Sequence, residues 1–258
     1  MTNEHPLQTA IRQANEQGRK AVIPFLTAGF PTPDSFWNAL KSLDAGGADI
    51  IEIGVPFSDP IADGPVIEDA SRQALEKGIT LSWILAGLKQ RKGTFRCRFV
   101  LMGYVNPFLQ YGIDQLAQDA AEANVSGFII PDIPLEETDM FRPAFDRKNI
   151  ALITLVAPNT SEKRMKEYAA VSKGFVYVVS VLGITGGKVD LTQSVTETMK
   201  RARASFNIPL ALGFGLQTPD QLDSLPQEAQ PDAAVLGSAL LRHLAAEHSA
   251  SDFLAPWV

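Results

Sequence analysis

The chain has almost no cysteine, Cys97 being the only one in 258 residues. A single thiol excludes an internal disulfide and any site built from several thiolates, and it suits a cytoplasmic protein, which is where we expect this one. Histidine is nearly as scarce, with His5, His243 and His248 close to the two ends and outside every patch discussed below. Histidine catalysis and histidine metal ligation therefore have no support, and no metal is expected. No stretch approaches the roughly 18 consecutive apolar residues of a membrane span, and residues 1–18, interrupted by His5 and Arg12, do not read as a secretory leader. Positive charge is also short: 23 Lys and Arg stand against 29 Asp and Glu, for a formal net charge of -6. Such a chain has no general attraction for nucleic acid or an anionic membrane, so a phosphorylated ligand has to be held locally.

What the chain does have is a repeating order of apolar runs and amphipathic stretches. Runs at 21–27, 50–55, 99–104, 127–131, 150–156, 175–180, 209–213 and 233–237 predict strands, with helix-compatible segments between nearly all of them. Strand then helix, repeated, predicts parallel pairing. Thr32-Pro33-Asp34 and Thr218-Pro219-Asp220 mark helix starts, where a hydroxyl accepts a free backbone N–H and proline fits the first turn. Eight such strands favour an α/β fold of the (β/α)8 TIM barrel type, as one domain over 1–258 with an extra N-terminal helix at 7–17. An open doubly wound sheet uses similar units.

The run Asp49-Ile50-Ile51-Glu52-Ile53-Gly54-Val55 reads as a strand buried on both faces, and Glu52 interrupts it. Alternation puts Ile50, Glu52 and Gly54 on one face, which can point into a barrel, with the small Gly54 leaving room for a ligand. Pairing with a buried Lys or Arg is the alternative explanation of this acid. The loop that follows, Pro56 to Pro65, contains Asp59-Pro60 and Asp63-Gly64, both ordinary turn pairs. Beside Glu52 they also offer a second carboxylate on a segment able to close over substrate, and two acids in different surroundings can hold different protonation states.

Three glycine patches follow the sixth, seventh and eighth strands: Gly183-Ile184-Thr185-Gly186-Gly187, Gly213-Phe214-Gly215 and Gly237-Ser238. Glycine lets backbone N–H groups approach phosphate oxygens, and a helix starting at Ser238 adds its own donors, so a phosphate can be bound without an arginine. Each patch alone is also what βα turns contain. Nucleotide motifs fail, because Gly187-Lys188 is followed by Val189 and Gly213-Phe214-Gly215 lacks a third glycine. Phe25, Tyr104, Tyr177 and Phe214, near strand ends, are suited to an apolar slot for a flat ring or to simple core packing.

Through Pro24-Phe25-Leu26-Thr27-Ala28-Gly29, the run Ile51 to Pro65, Met102-Gly103-Tyr104-Val105-Asn106-Pro107, Pro131-Asp132-Ile133-Pro134 and the glycine patches, the sequence resembles the tryptophan synthase alpha subunit family over nearly its whole length. The resemblance implies retro-aldol cleavage of indole-3-glycerol phosphate to indole and glyceraldehyde 3-phosphate, with Glu52 and Asp63 as the catalytic acids. It implies phosphate contacts from Gly186, Gly215, Gly237 and Ser238, a loop contact between Thr185 and Asp63, and an indole pocket formed by Phe25, Tyr104, Tyr177 and Phe214. Loops at Asp59 and Asn106 resemble those that meet a beta subunit in an alpha2beta2 heterotetramer. That partner carries pyridoxal phosphate and receives the indole, so no cofactor is expected on this chain. The sixth loop departs from many relatives at Val181-Leu182 and Gly187-Lys188. Alternatives are a sugar-phosphate isomerase or epimerase, a regulatory subunit without turnover, and a stand-alone indole-producing lyase.

Overall fold

The computed structural model describes residues 4–179, 191–213 and 215–258. Thr185, Gly186 and Phe214, and the departures at 181–182 and 187–188, lie outside the described residues. The strands are β1 (Ala21–Thr27), β2 (Ile50–Gly54), β3 (Arg98–Met102), β4 (Val125–Ile129), β5 (Ala151–Leu152), β6 (Thr154–Val156), β7 (Val176–Val179), β8 (Leu210–Gly213) and β9 (Ala233–Leu236). They form one sheet in the order β5-β4-β3-β2-β1-β9-β8-β7-β6, with every pairing parallel. The two ends of that order, β5 and β6, are separated in the chain by Ile153 alone, so the sheet curls into a TIM barrel.

The eight expected runs all contain strands, and the fifth is divided. Its first half pairs with β4 and its second with β7, the stagger that tilted strands require when a sheet closes. The third strand is shorter than expected: it stops at Met102 because Tyr104 already precedes a helix.

The helices are α1 (Pro6–Glu16), α2 (Pro33–Ala45), α3 (Pro65–Glu76), α4 (Leu81–Gln90), α5 (Val105–Tyr111), α6 (Ile113–Glu122), α7 (Arg142–Arg147), α8 (Glu162–Ala169), α9 (Leu191–Ser205), α10 (Asp220–Asp223), α11 (Ser238–Ala245) and α12 (Ala250–Leu254). At the start of α2, Thr32 Oγ1 accepts from the Ser35 N–H at 3.2 Å and Ser35 Oγ accepts from the Thr32 N–H at 3.0 Å, a reciprocal cap. The expected hydroxyl cap at Thr218 is absent. There the Gln221 side-chain oxygen accepts from the Thr218 N–H at 3.1 Å, and α10 is a single turn.

Two apolar layers follow from strand alternation. Ile51, Ile53, Leu101 and Phe128 face the helices, while Ile23, Phe25, Ile50, Val100, Ile129 and Tyr177 fill the barrel. The inner layer also holds Leu7 and Ile11 of α1, both fully buried, so this helix stoppers the barrel. His5 caps α1: its Nδ1 accepts from the Leu7 N–H at 3.3 Å, and its Nε2 meets the Asn149 carbonyl at 3.1 Å. Cys97 is a buried thiol whose pKa burial pushes up. Among the described residues no helix is long and apolar enough to cross a membrane.

Candidate active site

The carboxyl-terminal ends of the strands open into a cavity of about 200 Å³, the end where barrel enzymes place their chemistry. Phe25 of β1, Glu52 of β2, Tyr177 of β7, and Gly215, Gly237 and Ser238 after β8 and β9 line it together. These six expected site residues thus converge from five strands. Gly215 has φ +94, a conformation that strains other residues, and a Cβ there meets nothing within 4 Å, so the backbone is what selects glycine at this point.

Glu52 is 1% exposed, and among the described residues its Oε2 has no hydrogen-bond partner. Among the described residues no Lys or Arg forms an ion pair with it. Register places Phe25 and Val100 on either side of it, two apolar neighbours that offer the carboxyl nothing to bond. Burial first, and the charge of Asp63 second, push its pKa up to about 8. The space beside Gly54 is used differently from the sequence expectation. A Cβ there would lie 2.6 Å from Phe25 Cζ, so the missing side chain admits the Phe25 ring instead of a ligand. Gly213 likewise admits Tyr177, whose hydroxyl would stand 2.3 Å from a Cβ at that position.

Asp63 lies on the loop between β2 and α3 and is half-buried. Burial raises its pKa to about 6, opposed by a hydrogen bond from Tyr104 and reinforced by the charge of Glu68. Tyr104 is buried but is not part of the cavity lining. Its hydroxyl accepts from the Ala62 N–H at 2.9 Å, and its ring stacks on Phe57 at 5.1 Å, so it fastens the loop at both ends. Asp132 secures the next residue by accepting from the Val105 N–H at 2.9 Å. Burial, followed by the charges of Glu52 and Asp63, drives the Tyr177 hydroxyl pKa well up, so this group stays neutral. The two carboxyls are thus separated in acidity, Glu52 being the one that keeps its proton to higher pH.

The sequence reading missed Met102, Val66, Ile67, Val235 and Arg242, all of which line the cavity. Met102 and Val235 were recoverable from alternation within their strands, and Arg242 from its position one helical turn after Ser238. Among the described residues no group of three or more His, Cys, Asp or Glu is placed to hold a metal ion. Asp59 and Asn106 are exposed. Ile61, 84% exposed, and the more modestly exposed Leu109 and Met140 follow β2, β3 and β4, placing apolar side chains beyond the same end of the barrel.

Comparison with known proteins agrees with this geometry. The sequence profile of the family described as Tryptophan synthase alpha chain matches residues 11–254. The chain is 60% identical to the tryptophan synthase alpha chain of Desulfovibrio desulfuricans over 97% of its own length and 98% of that protein. It is 56% identical to the corresponding chain of Nitratidesulfovibrio vulgaris, covering 97% of each. Among solved structures, tryptophan synthase of Mycobacterium tuberculosis superposes with a TM-score of 0.88 at 31% identity, covering 99% of this chain and 100% of that one. Tryptophan synthase subunit alpha of Legionella pneumophila gives 0.83 at 30% identity, covering 97% and 94%.

Proposed function

The chain belongs to the tryptophan synthase alpha chain family, lyases that cleave indole-3-glycerol phosphate and pair with a beta subunit, and we propose that Glu52 and Asp63 carry that reaction here. The observation that carries the assignment is the buried carboxyl of Glu52 at the wall of the cavity, its Oε2 without a hydrogen-bond partner among the described residues and its pKa pushed up to about 8. It is an acid at neutral pH with a proton to give.

Cleavage needs a proton on indole C3 and the removal of one from the side-chain hydroxyl. Protonated Glu52 supplies the first, while ionised Asp63 stabilises the positive charge that develops at the ring N–H. Glu52, now a carboxylate, takes the hydroxyl proton as the carbon–carbon bond to C3 breaks, its electrons returning to the ring. Indole and glyceraldehyde 3-phosphate leave, and Glu52 is again protonated, so the cycle consumes no net acid or base. Phe25 and Tyr177 offer apolar walls for the ring, and Gly215, Gly237 and Ser238 offer backbone N–H groups to the phosphate. Gly186, Thr185 and Phe214 complete this assignment by family resemblance.

No step at these residues calls for a cofactor, and pyridoxal phosphate is assigned to the beta subunit. The exposed Ile61, Leu109 and Met140, with Asp59 on the loop of Ile61 and Asn106 in the first turn of α5, form the face assigned to that partner. The assembly is assigned as alpha2beta2, with residues 1–258 acting as one domain.

The test is indole release from indole-3-glycerol phosphate, with and without a beta subunit, as a function of pH. We expect stimulation by the partner and a bell-shaped kcat/KM with limbs near the values of Asp63 and Glu52, about 6 and about 8. Glu52→Gln and Asp63→Asn should each lower turnover by about 10²-fold or more. Wild-type turnover by folded Glu52→Gln would remove Glu52 from the mechanism.

A further inference from the structure

Arg242 lines the cavity alongside Gly215, Gly237 and Ser238. Other arginines have fixed partners, as Arg19 has Asp49 at 2.7 Å and Arg203 has Asp232 at 2.7 Å. Among the described residues the side chain of Arg242, an exposed residue, forms neither an ion pair nor a hydrogen bond. It stands four residues into α11, on the face that carries Ser238. Because side chains on a helix tilt toward its N-terminus, a long one at this position runs back over the first turn. No side chain caps that first turn at Gly237, so the tilt of the helix brings a side chain at position 242 back toward free N–H groups.

We propose that Arg242 binds the phosphate dianion of the substrate, acting with the backbone donors at the start of α11. This rests on the reading of the cavity as a site for a phosphorylated substrate. The chain carries a net charge of -6, and the cavity is lined by the Glu52 carboxyl, with the charge of Asp63 near enough to raise its pKa. A dianion entering without a counter-charge is repelled by ionised Asp63, and it raises the proton affinity of both acids. A guanidinium one turn away cancels part of that field and offers a planar fork to two phosphate oxygens. Glycine patches recognise shape and close approach, whereas Arg242 adds a requirement for negative charge. Arg242 is thus a binding residue for phosphate monoesters and has no part in proton transfer.

The experiment compares wild type with Arg242→Gln and Arg242→Lys, reading kcat and KM for indole release and, independently, the Kd for inorganic phosphate by calorimetry. Arg242→Gln is expected to raise KM and the phosphate Kd by roughly tenfold, with kcat within a few-fold of wild type. Arg242→Lys should fall between, because it keeps the charge and loses the fork. The salt dependence of phosphate binding should be shallower in Arg242→Gln. An unchanged KM and phosphate Kd in the folded Gln variant overturns the proposal, as does a loss confined to kcat. If wild type binds phosphate, loses that affinity in Arg242→Gln and yet releases no indole, the anion site stands and the reaction assigned to the cavity falls.

Discussion

Glu52 occupies a position where a carboxylate is least stable, walled by Phe25 and Val100 and 1% exposed. Its pKa rises from 4.5 to about 8 on folding, so the folded chain holds its proton over a range in which the unfolded chain releases it. The contribution to stability is full below about pH 4.5, declines as pH rises toward about 8, and is constant above that. Glu52→Gln, which does not titrate, should therefore unfold at a higher temperature than wild type at pH 9. The difference, on the order of a few kcal/mol, should shrink as pH falls to 5. Melting curves at the two values decide it, and equal shifts at both would show that Glu52 is not held neutral by the fold. The same substitution is expected to lower turnover by about 10²-fold or more, so one residue trades stability for reactivity.

At the scale of elements, α1 and two glycines form a fitted joint. A Cβ on Gly127 would stand 3.0 Å from Leu7 Cδ1, and one on Gly174 3.2 Å from it. Leu7→Ala removes a fully buried side chain and should cost about 3 kcal/mol in urea unfolding, and Gly127→Ala about 1–3 kcal/mol through crowding. Because the new methyl enters the space that Leu7 vacates, the double variant should lose less than the sum, and strict additivity would disprove the joint. The strands were legible because parallel barrel strands are continuous apolar runs, and Glu52 was legible because it interrupts one. Strand ends were not, since the backbone leaves β3 at Gly103 to let Tyr104 start α5, a choice no apolar pattern records. The division of the fifth strand was hidden for a similar reason: it depends on which neighbour lies on each side after closure. Arg242 escaped notice because a search for phosphate cradles looks for glycine, while its relevance comes from the turn of a helix already found. The roles of Gly54 and Gly213 were hidden as well, being set by rings from neighbouring strands.

For the whole molecule, the loop after β2 is where the proposed chemistry and the face proposed for the partner meet. It carries the half-buried Asp63 and the exposed Ile61 within three residues. One phenol serves both: Tyr104 receives the Ala62 N–H and hydrogen-bonds Asp63, where it opposes the upward pull of burial. A beta subunit that covers this loop removes water from around Asp63 and strengthens that pull. Docking then carries a proton count: the complex takes up a fraction of a proton, most near the Asp63 value of about 6. Calorimetric titrations in buffers of different ionisation enthalpy would read this as buffer-dependent heat, altered in Tyr104→Phe, and identical heats in all buffers would refute it. Seen this way the loop is a transducer, and the acidity of the medium becomes a third participant in assembly, alongside the two subunits.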